Sequence, residues 1–77
     1  MEYKPLDTVV IIRGIPAHDL RAGDLGAVVD AAEPDGLEVE FVTASGRTTA
    51  LVSLLASDVR PIADSDLVAV RSIKRSA

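Results

Sequence analysis

The chain of 77 residues has no cysteine and no tryptophan, and its only aromatic side chains are Tyr3 and Phe41. Without cysteine there is neither a disulfide framework nor a thiolate for catalysis or metal binding. Two aromatics are too few for a base-stacking platform or an aromatic-lined peptide groove. His18 is the single histidine, so no histidine cluster can hold a metal. No uninterrupted apolar run exceeds the four residues Val9-Val10-Ile11-Ile12, far short of a bilayer span. The N-terminus has no basic segment followed by an apolar one, as a secretory signal would. The expectation is a cytoplasmic protein with no membrane association. Basic residues are also in deficit: eight against twelve acidic, a formal net charge of −4. That balance opposes a phosphate-tracking surface, which needs several lysines or arginines. It suits a basic protein partner.

What the chain does have is small aliphatic bulk. Hydrophobic residues make up 48% of it, mostly Ala, Val, Leu and Ile, which excludes intrinsic disorder. The length allows one domain. A domain of this size buries roughly 60% of its unfolded surface, and its stability is expected at about 3–5 kcal/mol.

The apolar residues fall into short runs bounded by glycine and proline. Residues 7–13 are β-branched and predict a first strand, apolar on both parities and so covered on both faces. Residues 14–24 predict a long loop punctuated by Gly14, Pro16 and Gly23, with Ile15 and Leu20 as apolar plugs. A second strand is expected over 26–32, then a turn at Glu33-Pro34-Asp35-Gly36. Leu37-Glu38-Val39-Glu40-Phe41 alternates strictly, which turns Leu37, Val39 and Phe41 inward and Glu38 and Glu40 outward. A tight turn around Gly46 leads to a fourth strand over 48–53. A 3₁₀ turn over 54–57 and a short edge strand over 58–62 follow, the edge tolerating Pro61. Val28, Ile11 and Leu51 are expected to surround the core triad. Gly26, at the corner where the long loop enters the second strand, is expected to tolerate no side chain, by a positive φ or by close backbone approach. Asp64-Ser65-Asp66 could cap a short helix, or residues 67–71 could form an extended arm. Arg71, Lys74 and Arg75 make this tail the only basic segment.

The pattern predicts an all-β fold: a small SH3-like, five-stranded antiparallel barrel over residues 5–62, with a C-terminal tail or short helix over 63–77. The Gly23-Asp24-Leu25-Gly26 corner opening into a β-branched run is typical of such barrels, which are mostly binding modules.

Nothing in the chain predicts catalysis, a cofactor or a metal. His18 lacks convergent partners and reads as an exposed loop histidine. Neither Ser45 nor Ser53 lies in a nucleophile elbow. Gly23 and Gly26 precede a strand rather than a helix N-terminus, so they make a turn and not a phosphate cradle. Glu33, Asp35, Glu38 and Glu40 lack calcium-loop spacing. Asp24, between two glycines, is expected to accept backbone N–H bonds and fix the corner, with contact to a ligand as the alternative. Arg13 and Arg60 are expected at the rim, paired with an acid or meeting a partner. The expected partner surface comprises Glu38, Glu40, Asp24, Arg13 and Arg60.

These residues together resemble a known family. Leu6-Asp7-x-Val9-Val10, Ile15-Pro16-x-His18-x-Leu20-x-x-Gly23-Asp24-x-Gly26-x-Val28-Val29, Leu37-Glu38-Val39-Glu40-Phe41, Gly46-Arg47-Thr48 and Val59-Arg60-Pro61 look like the domain-of-unknown-function family 4926, small bacterial proteins. The resemblance implies an SH3-like barrel in a bacterial cytoplasm and carries no functional residues with it. It also implies a partner encoded by a neighbouring gene, as in a pair of toxin and antitoxin. The resulting expectation is a non-catalytic protein-interaction module, the neutralising half of a two-gene system. The alternative is a KOW-like module associated with nucleic acid or the ribosome, which the net charge disfavours.

Overall fold

A computed structural model describes residues 2–73. Five strands form one antiparallel sheet: β1 (Thr8–Ile11), β2 (Leu25–Ala32), β3 (Gly36–Val42), β4 (Thr48–Leu55) and β5 (Val59–Pro61). Their order is β4-β3-β2-β1-β5, so β4 and β5 are the two edges and no ladder joins them. Among the described residues there is no α-helix. Short 3₁₀ turns occupy Pro16–His18 and Ala56–Asp58.

β2 is the shared strand. Its first residues pair with β1 (Val9↔Gly26) and its later ones with β3 (Val28↔Val39, Ala31↔Leu37). The two ladders overlap at Ala27, and within the β2–β3 ladder an irregularity lies between Val28 and Asp30, where a bulge increases local twist. The β2–β3 turn contains a cis Glu33–Pro34 peptide bond.

The alternation of β3 is realised as expected. Leu37, Val39 and Phe41 are buried, with Val28, Val9, Ile11, Leu54 and Val59 in the same cluster. Tyr3 also joins this core. Ile15 and Leu20 pair with each other, and the loop that carries them is pinned to the core through buried Leu20 and half-buried Ile15. β1 is covered on both sides over most of its length. Val9 and Ile11 enter the core, and Val10 is buried on the opposite face, whereas Ile12 beyond the strand is exposed.

Leu51 departs from expectation: it is 57% exposed, and Ala50 is buried in its place. The β3 register decides this. Phe41 faces Ala50 and Val39 faces Val52, which leaves Leu51 opposite outward-facing Glu40. The fourth strand also extends to Leu55, and the 3₁₀ turn is displaced to Ala56–Asp58.

Gly26 has an ordinary φ but no room for a side chain. A Cβ there would lie 2.5 Å from Val39 Cγ1 and 2.9 Å from Phe41 Cε2. The positive φ of this corner is at Gly23 instead, at +99°, a conformation that glycine takes freely. Between Ile62 and Ile73 the chain forms no helix. Residues 67–73 run without regular structure. The basic residues Lys74 and Arg75 lie outside the described residues.

Candidate functional site

Two surfaces collect the side chains singled out by the sequence. The first is the outer face of β2, β3 and β4. Asp30, Glu38 and Ser53 form one cross-strand row, and Ala27, Glu40 and Leu51 the next. Both glutamates are half-buried and anchored: Ser53 Oγ donates to Glu38, and Thr48 Oγ1 donates to Glu40. Exposed Val42, Leu51 and Leu55 surround them. The face is therefore apolar ground carrying carboxylates in fixed positions. At its end lies a cleft of about 490 Å³, lined by Asp30, Glu38, Ser53, Leu55, Arg13 and Asp58 among others.

The second surface is a groove of about 650 Å³ between the C-terminal segment and the sheet, with Val10, Leu25, Asp24, Arg60 and Arg71 among its lining. Here Asp24 does what its place between two glycines predicts, accepting the Arg21 N–H at 2.8 Å. It also holds Arg71: Nε donates to Oδ1 at 3.0 Å and Nη2 to Oδ2, while Nη2 also donates to the Asp19 carbonyl at 2.7 Å. Burial alone would raise the Asp24 pKa. The Arg71 and Arg21 hydrogen bonds outweigh it and hold the carboxyl below its ordinary value.

The five expected partner-surface residues thus divide. Glu38, Glu40 and Arg13 border the outer face and its cleft, whereas Asp24 and Arg60 line the opposite groove. Arg13 and Arg60 are each taken by an acid. Arg13 Nε donates to Asp58 at 2.9 Å. Arg60 forks onto Asp66 with two bonds of 2.9 Å. His18 is exposed at the end of its 3₁₀ turn. Among the described residues no group of histidines and carboxylates could hold a metal.

Sequence reasoning missed the acids of these pairs, and a common construction links them. Asp7, Asp24, Asp58 and Asp66 each accept the backbone N–H of the residue three positions earlier: Lys4 at 3.0 Å, Arg21 at 2.8 Å, Leu55 at 2.9 Å and Ala63 at 2.7 Å. Each also binds a cation: Lys4, Arg71, Arg13 and Arg60 respectively. A carboxylate that accepts a backbone N–H and a cationic donor favours its charged form. The pKa values of Asp7 and Asp58 are accordingly lowered, in each case chiefly by the cation's hydrogen bond. That of Asp66 is held at about 2, first by Arg60 and then by the Ala63 N–H. The available signal was an aspartate placed three residues after the start of each chain reversal. Asp66 belongs to this set and caps no helix.

The molecule is thus an all-β domain with an acidic and apolar sheet face and its main cations engaged internally. The chain belongs to the family described as Domain of unknown function (DUF4926), which matches residues 6–61. No curated protein and no solved structure matches it. Among the described residues no helix is long and apolar enough to cross a membrane.

Proposed function

We propose that the chain is a non-catalytic protein-interaction module, built as an SH3-like barrel, that binds a basic protein through the outer face of β3 and β4. The barrel reading is supported by β5 lying on β1, by β2 changing partners midway, and by a single 3₁₀ turn between β4 and β5. The observation that carries the function is the anchoring of Glu38 by Ser53 and of Glu40 by Thr48, beside exposed Val42, Leu51 and Leu55. Solubilising glutamates wave freely in solvent; anchored ones lose little side-chain entropy on binding. An exposed apolar patch rimmed by polar residues is a common mark of a protein-binding site.

A protein partner is favoured over nucleic acid by the arginines. Arg13, Arg60 and Arg71 are held by Asp58, Asp66 and Asp24, so phosphate contact would have to displace a carboxylate. In its specific form the proposal is the neutralising subunit of a two-gene bacterial system, its partner being the neighbouring gene's product. The test is purification from the native cells with identification of the bound protein, followed by association kinetics of Glu38→Lys/Glu40→Lys. Slower association with a weaker salt dependence supports the proposal. Unchanged association at low salt refutes the face.

A further inference from the structure

The two edges of the sheet are not alike. β5 is three residues long and contains Pro61, so it offers little to an added strand. β4 is eight residues long, Thr48–Leu55, with no charge, proline or glycine. Long uncharged edges of this kind accept further strands.

The direction of the β4 backbone follows from two bonds at its end. Ala56 N–H reaches the Asp35 carbonyl at 2.8 Å, toward the β2–β3 turn. Leu55 N–H turns the other way and is taken by Asp58 Oδ2 at 2.9 Å. Backbone groups alternate sides along a strand, so the N–H and C=O of Ser53 and Leu51 point away from β3, at the open edge. Asp58 closes the slot at Leu55 and leaves the two before it.

The side chains at those slots lie on the outer face. Ser53 stands beside Glu38 and then Asp30, and Leu51 stands beside Glu40. The cleft holding Asp30 and Glu38 opens at the same end. A strand laid on β4 would run about 4.8 Å from it, close enough for a lysine or arginine to reach over Ser53 toward Glu38.

We infer that β4 is a strand-addition site whose occupant is an extended segment of the partner protein, with lysine or arginine alternating with aliphatic residues. This deepens the proposed function and rests on its acidic face. Main-chain bonds to Leu51 and Ser53 supply the docking, and the carboxylate row selects basic side chains. A second copy of this chain is a poorer occupant. It would bring a charge of −4 onto −4 and, through its own β4, no cation.

The experiment pans the full chain against a displayed library of unconstrained twelve-residue peptides. The expected result is enrichment of sequences alternating basic and aliphatic residues, without proline. A synthetic copy of the strongest should slow amide exchange at Leu51 and Ser53 but not along Val59–Pro61. Methylating its protein-facing backbone nitrogens should weaken binding at least tenfold, as should Glu38→Lys/Glu40→Lys. No enrichment, or protection away from β4, overturns the inference. Binding insensitive to N-methylation but lost in the glutamate variant also overturns strand addition, while leaving the acidic face standing. Binding insensitive to the glutamate variant overturns both the basic occupant and the face. A peptide-free, concentration-dependent dimer that protects Leu51 and Ser53 makes the second copy the occupant and overturns the inference as well.

Discussion

Arg71 and Asp24 lie 47 positions apart and meet in a two-bond fork, with the Asp19 carbonyl as a third acceptor for the guanidinium. The fork fastens the C-terminal segment across β1 and the loop corner, over buried Val10. The segment has a second fastening at Arg60–Asp66. Between the two, Leu67 and Val70 are each 96% exposed, so the ion pairs rather than apolar burial hold it in place. Arg71→Ala is therefore expected to release residues 67–73 while leaving the sheet folded. Heteronuclear relaxation should show fast motion beginning near Leu67 with β-strand amides unchanged. Relaxation identical to the parent would mean that other contacts hold the segment.

The four aspartates set the pH response. Each has a folded pKa below its ordinary value, that of Asp66 at about 2. An unfolded aspartate binds its proton near pH 3.9. Between that value and the folded pKa the unfolded chain holds more protons, so stability falls as pH falls. The contribution is complete above about pH 5 and is lost progressively toward pH 2. Thermal melts from pH 7 to pH 2 should show a plateau and then a decline. Asp24→Asn should shorten that decline, and a melt curve flat to pH 2 would contradict the ion-pair account.

Phe41 is the only aromatic of the β3 triad and is 2% exposed. Phe41→Ala should cost about 3–5 kcal/mol, close to the whole stability expected of so small a domain. A denaturant titration should find the variant largely unfolded in buffer. Near-parent stability would contradict the core.

Gly26→Ala should destabilise by about 1–3 kcal/mol through overpacking against Val39 and Phe41. Because the nearest atom is Val39 Cγ1, Val39→Ala should relieve part of the cost. The double mutant should be less destabilised than the sum of the singles, with a coupling of about 1 kcal/mol in a denaturant cycle. Strict additivity would place the strain elsewhere.

Leu51 and Ala50 are neighbours with opposite fates. Leu51→Lys, on the outer face, should change stability by no more than about 0.5 kcal/mol. Ala50→Lys would bury an unpaired charge and should unfold the domain. Circular dichroism of the two variants decides the matter. The reverse outcome, with Leu51→Lys unfolded and Ala50→Lys tolerated, would mean that the β3–β4 register is shifted by one residue.

These residues also mark where local sequence stops informing. The order Leu37-Glu38-Val39-Glu40-Phe41 determined its own inside and outside, because a period of two allows one assignment when the parities differ in polarity. Glycine and proline punctuation placed the turns, and Asp24's role at its corner followed from its neighbours. The excess of acid over base was legible as well. In β4 both parities are apolar: Ala50, Val52 and Leu54 on one, Leu51 and Leu55 on the other. Either face could go in, and pairing with β3 made the choice. The same holds for Asp24 with Arg71, Asp58 with Arg13 and the exposure of the β4 edge. Each depends on which distant segments become neighbours, and local composition does not contain that distance. The tertiary structure settled these features because burying one continuous core fixes the strand order, and strand order decides which edge stays open and which charges meet.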